Sequence, residues 1–313
     1  MKKYPIIFKP YLVEKVWGGE KLKEFGKKVD KNIGESWEIS CRKEWNSTIL
    51  NGEYKGKNIS YLMENYQMEF FGYSFDKFPL LIKFLDINDK LSVQVHPDDK
   101  YAQEKENDFG KFETWYIMDA SEDATIIAGL SDKFKNIKDL KNKLKKGDDS
   151  PLKKVKVKKG DFLTIEPGLV HATIEGFILI SEIQQNSDTT YRLYDFNRVD
   201  SEGKKRELHL TKAGEVINPS LSSTILSTED IEIENGILEL SSSEFFRVSK
   251  IKLNNTLELF DDKFSIMMII SGDLELKDSL NSFRFKKGDT FMLPANYSYS
   301  ISSDNCEIIY VTL

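Results

Sequence analysis

The chain carries one short pattern twice, and a repeat of that kind restricts the fold more than any single motif. Lys111-Phe112-Glu113-Thr114-Trp115-Tyr116-Ile117-Met118 is matched in pattern by Lys263-Phe264-Ser265-Ile266-Met267-Met268-Ile269-Ile270. Further on, Val155-Lys156-Val157-Lys158-Lys159-Gly160-Asp161 is matched by Phe283-Arg284-Phe285-Lys286-Lys287-Gly288-Asp289. Each of these runs leads into an apolar strand and then a proline, Pro167 or Pro294. Two copies of one β unit are implied, and the 313 residues exceed the roughly 100–200 of a usual single domain.

Most of the remaining sequence reads as strand. Short β-branched and aromatic runs over 79–85, 91–95, 114–118, 177–183, 264–270 and 308–313 are separated by Gly, Asp, Asn or Pro turns, a density that suits a barrel or sandwich. Helical signals are confined to 61–68 behind Ser60, to 132–146 with Ile137, Leu140 and Leu144 on one stripe, and to 211–216. The reading divides the chain into a unit over 1–235, with N-terminal strands and helical inserts, and a second unit over 236–313.

The copies differ where chemistry is possible. Glu113 of the first is Ser265 in the second, and opposite His171 the second offers Ser298 or Tyr299. The first unit is therefore expected to be active and the second to be a structural companion without metal ligands. Charge excludes one class of partner: 45 basic and 51 acidic residues give a net −6, with no basic face for nucleic acid. The densest basic stretch, 141–159, is interrupted by Asp148 and Asp149 and reads as a solvated face. Cys41 and Cys306 lack the close partners of a metal knuckle or redox pair, which makes reduced structural thiols the expectation. No run approaches the ~18 apolar residues of a membrane span and the start is too weakly apolar for a signal peptide, so the expected compartment is the cytoplasm.

Two of the three histidines, His96 and His171, lie at strand ends in the first copy with Glu113 between them. In Gln94-Val95-His96, alternation puts Gln94 and His96 on one face. A Gln/His/Glu/His set offers nitrogen and oxygen donors with one carboxylate, which suits a borderline divalent ion such as zinc and leaves room for water or substrate. The competing reading makes both histidines ordinary loop residues. Gly160-Asp161-Phe162-Leu163-Thr164-Ile165-Glu166-Pro167-Gly168-Leu169-Val170-His171, a glycine, an apolar strand, a Pro-Gly turn and a histidine, follows the cupin pattern. That pattern indicates a cupin and leaves the reaction open.

The sequence resembles the short bacterial form of the type I mannose-6-phosphate isomerases. The resemblance runs through Trp17-Gly18-Gly19, Gly34-Glu35-Ser36-Trp37-Glu38, Pro79-Leu80-Leu81-Ile82-Lys83-Phe84-Leu85, Leu91-Ser92-Val93-Gln94-Val95-His96-Pro97-Asp98, Gly110-Lys111-Phe112-Glu113-Thr114-Trp115-Tyr116, the His171 turn and the segment 182–198. It implies a mainly β fold of two cupin-type β-barrels (jelly-roll) with a few added helices, in agreement with the repeat, one Zn2+ on Gln94, His96, Glu113 and His171, and active-site roles for Lys83, Lys111, Glu182, Asp188 and Arg192. Phe112 departs from the family, in which many members carry proline there.

The implied reaction interconverts mannose 6-phosphate and fructose 6-phosphate by metal-assisted proton transfer through an enediolate. Glu182 is the first choice for the proton-transferring group, since burial on an apolar strand raises a carboxyl pKa, and Lys111 is the second. The planar fork of Arg192 suits phosphate or the enediolate oxygens, and Asp188 could orient it or shuttle a proton. Lys83 stands in a run of Leu, Ile and Phe and needs a phosphate or carboxylate partner. His209 reads as structural. The alternatives are an iron-dependent cupin oxygenase and a non-catalytic sugar-phosphate-binding cupin. The expected partner is a small sugar phosphate, with the chain a monomer or homodimer.

Overall fold

The computed structural model describes residues 3–30, 32–199, 203–233 and 236–313. The expected division after residue 235 falls on a residue outside these. Two barrels are present. The first is built from a seven-stranded and a five-stranded antiparallel sheet, the second from a six-stranded and a four-stranded one.

Alternation along each strand explains how the barrels fill and how they meet. On Ile178–Gln185, Ile178 and Ile180 enter the core of the first barrel, while Leu179 and Ile183 face outward into a cluster shared with Val248, Ile266, Met268 and Ile309 of the second. Because both faces are covered, the strand reads as apolar throughout and not as half polar. Leu80–Ile87 does the same, with Leu85 and Ile87 inside and Leu80, Ile82 and Phe84 outside. So does Glu113–Ala120, with Trp115 and Ile117 inside and Tyr116 and Met118 outside. Inward positions toward one end of these three strands are polar: Lys83, Glu113, Glu182 and Gln184, all buried. The first barrel thus has an apolar interior and a polar end.

The expected helices form at Ile59–Phe71, Ile137–Lys145 and Leu210–Val216. Asn58 and Asn136 cap the first two by accepting from Tyr61 N and Asp139 N. Leu140, Leu144 and Ala213 cover the outer face of the five-stranded sheet, against Val93, Val95, Ala172 and Tyr191. A further helix, Asp99–Glu106, was not foreseen; it buries only Ala102, so it shows no apolar stripe to read. At the other end of the chain order, Ile6–Ile7 pairs with Met292 and Phe291, so the N-terminal edge of the chain completes a sheet of the second barrel. Phe112, the departure from the family pattern, packs on Phe245 and Phe246 at ring-centroid distances of 5.5 and 5.4 Å and so helps join the two units.

Candidate functional site

Strand register aligns the candidate residues in two rows. In the five-stranded sheet, His171 stands opposite Gln94, and Gln94 opposite Arg192. Directly paired residues share a face, so all three project the same way. In the facing seven-stranded sheet, Trp37 stands opposite Lys83, Lys83 opposite Glu182, and Glu182 opposite Trp115. Glu113, two residues before Trp115, lies on the same inward face.

The turn into His171 depends on two glycines. Gly160 and Gly168 have φ of +84° and +90°, a region open to glycine, and Gly168 N–H donates to the His96 carbonyl at 2.9 Å. His171 Nδ1 lies 3.0 Å from the Leu169 carbonyl and His96 Nδ1 lies 2.9 Å from that of Thr189. A carbonyl only accepts, so both Nδ1 atoms carry the proton and both Nε2 atoms present lone pairs. These converge on Glu113 Oε1, at 3.6 Å from His96 Nε2 and 3.4 Å from His171 Nε2.

All three residues are buried, and their ligand atoms lie within 4.8 Å of one another. Neither Glu113 oxygen receives a hydrogen bond from the described residues; the Lys111 ammonium, 2.9 Å from Oε2, covers that oxygen as an ion pair. Among the described residues Glu113 Oε1 is thus a buried acceptor without a donor, set between two imidazole lone pairs that Gln94 Nε2 approaches at 3.2 Å and Lys111 Nζ at 3.5 Å, an arrangement that is costly unless a cation joins it. The donor set, two neutral imidazoles and a carboxylate with no thiolate, fits a divalent metal site that retains open positions. Gln94 adjoins it: Nε2 is 3.2 Å from His171 Nε2, while Oε1 accepts from Ser92 Oγ at 3.0 Å. Rotation of the amide about its last bond would exchange oxygen for nitrogen at that point.

Electrostatics follow from this burial. Burial, with His96 adding, holds the His171 imidazole down to about 3. Burial would raise Glu113, but Lys111 and His96 outweigh it and hold the carboxyl well below its usual range. Glu182 moves the other way, raised by burial and by the charge of Glu113. Its Oε2 accepts from the Trp115 indole at 2.9 Å, and its Oε1 lies 3.4 Å from Lys83 Nζ. The partners of Lys83 are carboxylates, Glu182 on one side and Glu35 at 3.7 Å on the other, which outweigh burial and raise its pKa.

Asp188 is exposed and reaches Lys83 at 3.9 Å. Arg192 is half-buried, with no hydrogen-bond partner for its Nε among the described residues, and its backbone exchanges hydrogen bonds with His209. His209 also supplies the residue before the helix Leu210–Val216. Sequence reasoning gave no role to Glu35, Lys15 or the two indoles. The signal for them was the inward alternation of Glu35 and Trp37 on Ile33–Ile39, which is buried at every position and so showed no polar face.

Comparison with known proteins adds to this geometry. Residues 7–128 match the family model for phosphomannose isomerase type I, catalytic domain, and residues 236–313 match that for mannose-6-phosphate isomerase, cupin domain. The chain is 42% identical over 298 residues, 93% of each chain, to the mannose-6-phosphate isomerase ManA of Bacillus subtilis. It is 38% identical to the mannose-6-phosphate isomerase of Streptococcus mutans, over 93% of this chain and 92% of that one. A crystal structure of mannose 6-phosphate isomerase from Bacillus subtilis superposes with a TM-score of 0.87 at 36% identity, covering 100% of both chains.

Proposed function

The chain belongs to the type I phosphomannose isomerase family and is an isomerase of mannose 6-phosphate and fructose 6-phosphate; from that premise we propose that its reaction runs at the polar end of the first barrel, beside a bound zinc ion. The observation that carries the reading is the convergence of His96 Nε2, His171 Nε2 and Glu113 Oε1, with Gln94 alongside. A divalent ion there supplies a positive charge that stabilises negative charge developing on substrate oxygens.

The side chains divide the remaining work. Aldose and ketose interconvert by moving a proton between two adjacent carbons, so an acceptor must be held within hydrogen-bond reach. Glu182 is that acceptor in our reading: the Trp115 indole fixes one oxygen, burial raises its pKa, and the other oxygen is left beside Lys83. Lys111, 2.9 Å from Glu113, is the second candidate for proton transfer and a contact for substrate oxygens. Arg192 shares a face with Gln94 and His171, which suits a planar fork that binds phosphate or holds the charged intermediate. Lys83 contacts substrate from the facing sheet, and Asp188 serves Lys83 and Arg192 from the edge.

In this reading the unit over 236–313 is a companion barrel without metal ligands, with Ser265 where the first barrel has Glu113. No helix among the described residues is long and apolar enough to cross a membrane, and two unpaired thiols suit the cytoplasm. The test is a coupled assay that follows fructose 6-phosphate formed from mannose 6-phosphate, with metal analysis, chelation and zinc re-addition. Turnover should vanish with the metal and return with zinc. Full turnover in metal-free protein would defeat the proposal.

A further inference from the structure

The row that contains Lys83 has two ends built alike. At one end the Trp115 indole donates to Glu182 Oε2 at 2.9 Å; at the other the Trp37 indole donates to Glu35 Oε2 at 2.6 Å. Between these two anchored carboxylates sits one buried ammonium, 3.4 Å from Glu182 Oε1 and 3.7 Å from Glu35 Oε2. Both separations exceed the roughly 2.7–2.9 Å of a close charge-assisted hydrogen bond, as expected of a cation shared between two anions. The likeness ends at Lys15, whose Nζ lies 2.8 Å from Glu35 Oε1. Among the described residues, Glu182 has no second cation at ion-pair distance.

We propose that Glu35 is a positioning residue for the isomerisation, which shares Lys83 with Glu182 and so keeps the ammonium from closing onto Glu182 as a full ion pair. The inference rests on the reading of Glu182 as the proton acceptor. A buried carboxylate locked to its own cation is a poor acceptor, because pairing favours the ionised form. Trp37 and Lys15 hold the two oxygens of Glu35, so of the two carboxylates it is the one that stays charged. The titration behaviour agrees: Lys83 and Lys15 overcome burial and hold Glu35 at about 2, whereas Glu182 is raised. The other charged groups bearing on Glu182 are Glu113 and Lys111, from the strand at Glu113 and the segment leading into it. Asp188, from the loop beyond Gln185, faces Lys83.

Glu35→Gln keeps an acceptor for the Trp37 indole and removes the charge. Lys83 then closes on Glu182, and kcat should fall about tenfold while KM for mannose 6-phosphate stays within about twofold, the acid limb of the kcat profile moving down by about one pH unit. Glu35→Asp should recover part of the loss, and metal content and melting midpoint should hold. Lys15→Met, which leaves Glu35 with Lys83 alone and draws the ammonium away from Glu182, should move the acid limb up. An unmoved acid limb in both variants, or a loss confined to KM, would overturn the role of Glu35. Glu182→Gln, measured alongside, isolates the underlying reading. If it keeps its turnover and its acid limb, Glu182 is not the acceptor; if it loses both while Glu35→Gln changes nothing, only the positioning role fails.

Discussion

In the first barrel the inward row at the polar end runs Lys83, Glu182, Trp115; in the second barrel the same register runs Ser249, Tyr310, Met267. Two residues before the last member stand Glu113 in one and Ser265 in the other. His171 opens its strand opposite Gln94, and Tyr297 opens the corresponding strand opposite Asp261. Of the sequence candidates for the His171 position, Ser298 faces out and Tyr299 faces in. The second barrel therefore fills with Tyr297, Tyr299 and Tyr310 the space that the first gives to ionisable groups. One backbone serves as a site or as a core according to a few inward side chains, so the comparison is open to attack at those positions.

The largest effect should follow loss of the carboxylate at the centre. Glu113→Gln removes the one negative charge of the proposed ligand set, and turnover should fall by about 10³-fold or more, equivalent to several kcal/mol, with metal lost in elemental analysis. Ser265→Ala in the second barrel should leave both unchanged. Metal content and turnover that survive Glu113→Gln would put the ion elsewhere.

Next in size is Glu182→Gln. Turnover should drop by about 10²–10⁴-fold, the usual contribution of a positioned proton acceptor, while metal content stays at one per chain. Arg192→Ala should cost less, about 10–100-fold, the worth of one or two charge-assisted hydrogen bonds to an anionic group. Its metal should also be intact, and full activity in that variant would remove Arg192 from the mechanism.

These variants touch residues whose visibility in the sequence differed for physical reasons. Glu113 and His171 could be picked out because the repeat supplied an internal control, with Ser265 against Glu113 and Ser298 or Tyr299 against His171, while His96 was legible from its alternation with Gln94 on one strand. The two-barrel fold was legible from the same repeat. Lys83 was visible as a cation in an apolar run, but its partners were not. Glu35 is distant in sequence and is brought alongside only by the pairing of Ile33–Ile39 with Leu80–Ile87. The helix Asp99–Glu106 escaped because its polar surface carries no periodic signal, although Asp98 caps it by accepting from Tyr101 N. The N-terminal strand that joins the second barrel is a long-range pairing of two residues, which no local pattern encodes.

Acid should destabilise the molecule through the first barrel. His171 is held at about 3 against 6.5 for an ordinary imidazole, so between these values the unfolded chain binds a proton that the folded chain does not. Stability then falls as pH drops below 6.5, by up to about 2 kcal/mol at about pH 5. Glu182 acts in the opposite sense, because its raised carboxyl holds a proton more tightly when folded and its share is lost as pH rises. The second barrel, with no histidine after residue 236, contributes no such imidazole. Melts of chelator-treated protein at pH 7 and pH 5 check this; a midpoint that fails to drop would show that the unmetallated His171 titrates freely.

The smallest effect should come from Tyr310→Phe, the register counterpart of Glu182. Its hydroxyl donates to Asp261 in a partly buried contact, and losing one such bond costs about 1 kcal/mol, read as a modest drop in melting midpoint. Turnover and metal content should be those of the unaltered protein, since the ring that fills the interior remains. A fall in kcat without loss of stability would mean that the second barrel reaches the chemistry of the first, and that a tyrosine in place of a glutamate had kept a part in the reaction.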